Sequence, residues 1–285
     1  MLQVTRLAFV FLAINIVLFL AKLVVGIISN SLAILSDAFN SLIDVVSAVM
    51  IYVAVRVASQ PADVGHPFGH SRAEPIAAFT VAVLTLVLAF GVARTAVERI
   101  FLDTELYFGV PPIVLLIVVI FTKSLMWFVA ARFVRHKTSP AFAAVVVDSK
   151  MDVVVSLLAL VGVVVVNFGY SQFDAYVALI IAAWIARVGF ELGRENLKKL
   201  MGQCPDPATM QQIRNVLQQL KRRKRIRNFH DLRVHFVGTE IHVAVHIELP
   251  RTCKFERVNL LEEEVQTVLK RVDGVAEAAV HADPI

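Results

Sequence analysis

Charged residues and cysteines are both scarce in this chain of 285 residues. Only 18% of the residues are charged, whereas an ordinary soluble domain has about a quarter. The two cysteines, Cys204 and Cys253, are far apart and form no CxxC motif, so the sequence supports neither a disulfide framework nor a thiolate metal site. No internal repeat or low-complexity segment stands out. An ordinary soluble domain and a cysteine-based scaffold are therefore both excluded.

Long apolar segments make up most of the chain instead. Hydrophobic residues account for 58% of it, and the mean hydropathy is +0.71. A helix needs about 20 apolar residues to cross a bilayer, and six segments meet this requirement: 7–28, 33–57, 75–101, 110–134, 141–166 and 174–193. The first of them lacks a small-residue cleavage site before Ser29, so we expect it to be a retained span rather than a secretory signal.

The distribution of basic residues predicts the orientation of these spans. They flank every second connection and the exit from the last span: Arg56, Arg72, Arg132, Arg135, Lys137, Arg194, Lys198 and Lys199. By the positive-inside rule, both termini are expected to be cytoplasmic. The short loops and compact length favour a bacterial inner membrane.

The composition becomes more charged after about Gly202. This change predicts a six-helix transmembrane domain in residues 1–202 and a separate domain in residues 203–285. Two amphipathic helices, 207–220 and 255–271, and three strands, 232–237, 240–249 and 276–281, are expected there. The order α-β-β-α-β predicts a ferredoxin-like α+β fold. The basic run 221–227 is typical of a solvated or lipid-facing patch on a membrane-tethered domain, and we expect no nucleic-acid binding.

Ionisable residues inside two of the spans are the first candidates for a functional site. Ionisable groups in membrane spans are expensive and commonly functional. Asn40 and Asp44 lie four residues apart in the second span, and Asp148 and Asp152 lie four residues apart in the fifth. Each pair therefore projects from one helix face, and two such helices can close a four-coordinate site. Asp37 lies near the same face as an accessory candidate. The alternative is that these residues are helix caps or water-exposed groups near the span ends.

Histidines and carboxylates also cluster outside the spans. Asp63, His66 and His70 fall within eight residues of the connection after the second span, and such groups suit a borderline metal ion. The C-terminal domain carries a larger set: His230, His235, His242, His246, His281 and Asp283. His242 and His246 share one face of a predicted strand because their separation is even. For any single histidine, a surface or packing role is the alternative.

The motifs that contain these residues resemble those of the cation diffusion facilitators. They are the segments 31–44 (SLAILSDAFNSLID), 60–74 (QPADVGHPFGHSRAE), 148–152 (DSKMD), 230–233 (HDLR) and 281–284 (HADP). Members of that family are metal/proton antiporters with six membrane helices and a cytoplasmic metallochaperone-like domain that helps to hold a homodimer together. The resemblance covers nearly the whole chain.

The resemblance implies a role for each candidate residue. The transport site comprises Asn40, Asp44, Asp148 and Asp152; the loop site comprises Asp63, His66 and His70; and the cytoplasmic sites, at which a regulatory ion is one expectation, comprise His230, His246, His281 and Asp283. The chain departs from zinc-type members because its transport quartet contains no histidine. Asn259 also stands where a further cytoplasmic histidine is expected.

The composition of the quartet bears on the choice of metal and on the transport mechanism. Its donors are all oxygen, which favours Mn²⁺ over Zn²⁺ and is similar to the manganese-exporting branch, with Fe²⁺, Zn²⁺ and Co²⁺ as alternatives. Asp44, Asp148 and Asp152 cannot all stay ionised together without a cation, so we expect protons to replace the metal.

A non-transporting metal sensor or partner subunit and a metal channel are the other hypotheses. No nucleophile and base set points to an enzyme.

Overall fold

The structure of the protein is a computed structural model. It describes the backbone of residues 2–101, 109–136 and 140–285, and the side chains of residues 10–101, 109–132 and 149–285. The chain divides into two compact units. The first comprises Met1–Met50 with Thr80–Leu192, and the second comprises Ile51–Phe79 with Gly193–Ile285.

The described residues up to Leu200 contain six long helices, as the hydropathy pattern predicts. They are α1 (Leu2–Ser29), α2 (Leu32–Ala58), α3 (Ala73–Phe101), α4 (Val110–His136), α5 (Pro140–Asn167) and α6 (Gln172–Leu200). Each is long and apolar enough to cross a membrane. The helices extend beyond the apolar segments by a few residues because a polar residue at a span end can continue the helix into the interface.

Small and β-branched side chains fill the interior of the first unit. One buried cluster contains residues from α2, α3, α4, α5 and α6, among them Ala33, Ala89, Leu116, Val163 and Ile181. Large apolar side chains such as Phe90 and Phe121 instead face outward and are mostly exposed. This inverted distribution is expected of a surface that contacts lipid. Small residues let helix backbones approach closely, which is how membrane helices associate without a hydrophobic driving force.

A glycine allows one of these close approaches. A Cβ atom built on Gly189 of α6 would lie 2.9 Å from Cγ2 of Thr85 and 3.3 Å from the carbonyl oxygen of Ala82, both on α3. A larger residue at position 189 would therefore push α3 and α6 apart.

The C-terminal domain has the predicted order of elements. Its elements are α7 (Pro207–Arg222), β1 (Asn228–Val237), β2 (Glu240–Leu249), α8 (Phe255–Leu269) and β3 (Val275–Pro284). The sheet order is β1-β2-β3, with β1 and β2 antiparallel and β2 and β3 parallel. Asp206 caps α7 by accepting hydrogen bonds from the backbone N–H groups of Ala208 and Thr209, at 2.9 and 3.1 Å.

The two faces of this sheet differ in character. On β2, alternate residues such as Val243, Val245 and Ile247 are buried, and they form a core with Leu217 of α7 and Val265 of α8. The residues between them on β2, which include both predicted histidines, lie on the opposite face. The alternation therefore places the metal-ligating residue types on the side of the sheet away from this core.

The first strand begins four residues earlier than its apolar pattern indicates. The pairing of β1 with β2 shifts register between His230 and Arg233, and Asp231 has a φ of 49°. Such a bulge interrupts the alternation of buried and exposed residues, so the pattern reveals only the part after it. The bulge also brings His230 into the sheet, directly opposite His246.

Candidate metal sites

Helices α2 and α5 bring two of the predicted intramembrane residues together. Nδ2 of Asn40 donates a hydrogen bond to Oδ1 of Asp152 at 3.0 Å, across 112 residues of sequence. Asp152 is 1% exposed. Asp44 lies one turn after Asn40 on the same helix, and its Oδ2 atom is buried. Asp148 lies one turn before Asp152 on α5, but its side chain is outside the described residues.

A lysine that the motifs did not reveal contacts this site. Lys123 lies on α4, is 1% exposed, and its ammonium group forms an ion pair with Oδ2 of Asp152. The two oxygens of Asp152 therefore accept hydrogen bonds from Asn40 on α2 and from Lys123 on α4. The signal for Lys123 in the sequence is the same as for the aspartates, because a lysine in an apolar span is also rare.

Asp37 belongs to a second buried polar group. Nζ of Lys22 on α1 donates hydrogen bonds to Oδ1 of Asp37 at 2.8 Å, to Oγ of Ser41 at 3.1 Å and to Oγ of Ser156 at 3.3 Å. Ser156 in turn donates to Oδ2 of Asp37 at 2.9 Å. Both carboxylate oxygens of Asp37 are thus engaged by α1 and α5, so this residue joins three helices.

A third buried carboxylate caps a helix. Asp174, near the start of α6, accepts hydrogen bonds from the backbone N–H groups of Leu32 at 2.6 Å and Ala33 at 3.2 Å, at the start of α2. Arg99 of α3 lies 4.0 Å from Asp174 and donates to the carbonyl oxygen of Asn30. A carboxylate is favourable at a helix N-terminus, which gives Asp174 a structural role.

The three predicted residues of the loop after α2 come together at its turn. Oδ1 of Asp63 accepts a hydrogen bond from the backbone N–H of His66 at 2.6 Å, and Oδ2 lies 3.5 Å from Nε2 of His70. One ligand atom from each of Asp63, His66 and His70 lies within 4.8 Å of the others, which is a spacing that can hold a metal ion. The pKa of Asp63 lies below its usual value, chiefly because of the His66 backbone hydrogen bond. The lowered pKa favours the ionised carboxylate, which is the form that binds a cation.

The strands of the C-terminal domain align the predicted histidines across the sheet. His246 on β2 pairs with His230 on β1 and with His281 on β3. Asp283 contacts all three, with its oxygens 2.9 Å from Nδ1 of His246, 3.1 Å from Nε2 of His230 and 3.5 Å from Nε2 of His281. His230, His246 and Asp283 offer ligand atoms within 4.8 Å of one another. The hydrogen bond with His246 is the main reason that the pKa of Asp283 is lowered.

A second cross-strand row lies on the same face of the sheet. His242 pairs with His235 on β1 and with Glu277 on β3. Nδ1 of His242 lies 3.1 Å from Oε2 of Glu277, and the rings of His235 and His242 have centroids 6.1 Å apart. Phe68 and Arg72 from the segment after α2 line the same pocket. Burial lowers the pKa of His242.

Two family models match the chain in succession. One is described as the cation efflux transmembrane domain and matches residues 8–201, and the other is described as the cation efflux protein cytoplasmic domain and matches residues 205–285. The chain belongs to the cation efflux family. The resemblance to cation diffusion facilitators is thus confirmed, and so is the two-part architecture of membrane helices followed by an α+β domain. The second match supports homodimerisation of the cation efflux protein.

Relatives of this cation efflux protein are similar over nearly their whole length. An uncharacterized transporter of Methanocaldococcus jannaschii is 29% identical over 94% of both chains. The manganese efflux system protein MneS of Bacillus subtilis is 24% identical over 98% of this chain and 94% of its own. The cation-efflux pump FieF of Shewanella oneidensis is 25% identical over 93% of this chain and 88% of its own. The protein is therefore an integral membrane transporter of the cation efflux family rather than a member of an enzyme family.

Proposed function

We propose that this protein exports Mn²⁺ from the cytoplasm in exchange for protons. The transport site consists of Asn40, Asp44, Asp148 and Asp152. The observation that carries this proposal is the contact of Asn40 with Asp152, because it joins the two membrane helices on which the quartet lies. Both termini are cytoplasmic in this proposal, and the membrane is a bacterial inner membrane.

The ligand chemistry of the site favours manganese. Its four donors are carboxylate and amide oxygens, which suit Mn²⁺, whereas Zn²⁺ prefers nitrogen and sulfur ligands. Two relatives from Bacillus subtilis are named manganese efflux system proteins, which agrees with this choice. Other relatives are named cation-efflux pumps, so Fe²⁺ and Zn²⁺ are the competing substrates in the experiment.

Charge balance couples the metal to protons. In this proposal, Asp44, Asp148 and Asp152 share one site in a region where unpaired charges are expensive, so the three carboxylates need cations or protons. A divalent ion that enters from the cytoplasm displaces protons from the site, and protons that enter from the other side displace the metal. Rocking of the helices then exposes one site alternately to the two sides.

The sites outside the spans have supporting roles. Asp63, His66 and His70 bind the metal at the loop, and His230, His246, His281 and Asp283 bind a regulatory ion in the cytoplasmic domain. The spacing of ligand atoms supports the loop assignment and, for His230, His246 and Asp283, the cytoplasmic one. The cytoplasmic domain also joins two copies of the chain as a homodimer, which the family match supports.

The experiment is metal-driven proton flux in proteoliposomes that contain a pH-sensitive dye. Mn²⁺ and Zn²⁺ are compared on wild type, Asp44→Ala, Asp152→Ala and Lys150→Ala. Lys150 is the matched control, because it is exposed and lies two residues before Asp152 on the same helix. We expect Mn²⁺-driven flux in wild type and Lys150→Ala and none in the aspartate variants, with all four eluting as folded dimers.

Each contrary outcome changes a different part of the proposal. Full exchange in Asp152→Ala would overturn the transport site. Zn²⁺-driven flux without a response to Mn²⁺ would overturn the metal. Metal flux without proton movement would favour a channel, and binding without any flux would favour a metal sensor or partner subunit.

A further inference from the structure

The ion pair of Lys123 with Asp152 places a positive charge at a proposed metal ligand. Both side chains are 1% exposed, and they lie on adjacent membrane helices. Asn40 donates to the other oxygen of the same carboxylate. Both oxygens of Asp152 therefore already accept hydrogen bonds from nitrogen donors, one of which carries a full positive charge.

We propose that Lys123 is a tethered cation that competes with the transported metal for Asp152. This inference rests on the proposed function, in which Asp152 is a transport ligand. In the metal-free state, the ammonium group neutralises the carboxylate. When a metal ion binds, Lys123 leaves Asp152 and the divalent ion takes its place. When the metal is released, the ammonium group returns.

The physical reason is the high free energy of an unpaired carboxylate in the membrane interior. Removing one partner from a buried ion pair is strongly destabilising because the remaining charge is left uncompensated. An efflux site is free of metal during part of each cycle, and at that stage each of its carboxylates needs a proton or another cation. A lysine on α4 supplies a cation that cannot diffuse away, and its flexible four-carbon chain lets the ammonium group move.

Lys22 provides a contrast within the same protein. An ammonium group has three donors, and those of Lys22 reach Asp37, Ser41 and Ser156, none of which belongs to the proposed quartet. Lys22 therefore joins helices, whereas Lys123 contacts a proposed metal ligand. Removing the charge of Lys123 should change metal affinity in the opposite direction from a purely structural defect.

The test is Mn²⁺ affinity, measured by electron paramagnetic resonance on the detergent-solubilised full-length protein at pH 7. All variants carry Asp63→Ala and Asp283→Ala, which remove the loop and cytoplasmic clusters. In this background, Lys123→Gln is expected to bind Mn²⁺ at least about fivefold more tightly, which is the lower end of the roughly 5- to 150-fold changes in affinity typical of coupled binding events. Lys123→Arg keeps a cation beside Asp152 and should bind no more tightly than the parent.

Transport by the same variants separates competition from a folding defect. In proteoliposomes, Lys123→Gln should lower both KM and kcat for Mn²⁺, because the metal binds more tightly and its release lacks the returning cation. Lys123→Arg should restore KM toward the parent value. The control Lys22→Gln removes a buried lysine of similar exposure, and it should not lower KM.

The outcomes distinguish failure of this inference from failure of the transport site. Loss of Mn²⁺ binding in Asp44→Ala, together with unchanged or weaker binding in Lys123→Gln, would overturn the competition and keep the site. Unchanged binding in both Asp44→Ala and Asp152→Ala would overturn the site and the inference with it. If Lys123→Gln fails to fold, tighter binding by Lys123→Arg than by the parent would still contradict the proposal.

Discussion

Lys22 and Asp37 form an ion pair that is wholly buried between membrane helices, with Nζ of Lys22 2.8 Å from Oδ1 of Asp37. Both side chains are 0% exposed, and two serines complete the hydrogen bonds of the lysine. A buried pair of this kind contributes little net stability compared with a well-packed apolar pair, but it is costly to break. The pair therefore fixes how α1, α2 and α5 fit together.

Asp37→Ala should consequently destabilise the protein by about 3–5 kcal/mol, because it leaves the Lys22 ammonium group buried without its carboxylate. The measurement is the free energy of unfolding in mixed detergent, with helix content as the signal. The double variant Lys22→Met/Asp37→Leu removes both charges and should recover most of the loss. Wild-type stability in Asp37→Ala would show that Lys22 has another counter-charge and that the pair does not join the helices.

Sequence patterns predicted the six spans and proposed a transport site that includes Asn40 and Asp152, because hydropathy and the i,i+4 rule are local properties. They grouped Asn40 with Asp44 and Asp148 with Asp152 on single helix faces, and the structure brings Asn40 and Asp152 into contact. They did not reveal that Lys123 would pair with Asp152, since the choice of neighbouring helix depends on packing between segments far apart in the sequence. Asp174 illustrates the same limit, because its hydrogen-bond partners Leu32 and Ala33 lie more than 140 residues away.

In the C-terminal domain, the even spacing of His242 and His246 predicted a shared face, which β2 shows. The partner of each histidine depends on strand register, which a sequence pattern does not specify across a bulge. The shift between His230 and Arg233 determines that His230 faces His246. A prediction from alternation that ignores the shift would place His230 and His235 on opposite faces of β1, because their separation is odd.

Gly238 allows the turn between β1 and β2 to approach the segment before α3. A Cβ atom at this position would lie 2.2 Å from the carbonyl carbon and oxygen of Ser71, and the φ of Gly238 is +67°. Oγ of Ser71 donates a hydrogen bond to the carbonyl oxygen of Val237 at 2.9 Å. Gly238→Ala should therefore separate the two segments, because both the backbone conformation and the space exclude a side chain.

The measurement for Gly238→Ala is amide hydrogen exchange, and we expect faster exchange in residues 70–74 and 236–241. Gly69→Ala is the matched control, since Gly69 also has a positive φ, +76°, but nothing lies within 4 Å of its added Cβ. It should raise exchange around position 69 and leave residues 236–241 unchanged. Equal effects of the two variants near Val237 would contradict the steric explanation.

Asn40 offers a direct test of how ligand type selects the metal. Asn40→His replaces an amide with an imidazole at the contact with Asp152, and nitrogen ligands suit Zn²⁺ better than Mn²⁺. We expect the ratio of Zn²⁺ to Mn²⁺ transport efficiency to rise about tenfold, which corresponds to about 1.4 kcal/mol. Competition between the two ions in proteoliposomes measures this ratio.

The control for the Asn40→His substitution is Asn40→Gln, which lengthens the side chain but keeps an amide. It should reduce transport of both ions without favouring zinc. A zinc preference that appears in Asn40→Gln as well would attribute the change to geometry rather than to the nitrogen donor.

His242 is expected to make the C-terminal domain sensitive to mild acid. Its side chain is 14% exposed, and burial lowers its pKa below the ordinary value of 6.5. Glu277 and Glu240 oppose this effect, whereas His235 and Arg72 add to it. Between the lowered value and 6.5, the unfolded chain binds more protons than the folded chain, so stability falls as the pH falls through that window.

Nuclear magnetic resonance of ¹³C-histidine-labelled protein measures this pKa directly, with His242→Gln to assign the signal. We expect a titration midpoint below 6.5 in wild type and a still lower one in Glu277→Gln, because the Glu277 carboxylate favours the charged imidazolium. His242→Gln should also reduce the loss of stability on acidification just below pH 6.5. A midpoint at or above 6.5 would mean that Glu277 outweighs burial, and His242 would then stabilise the domain at low pH instead.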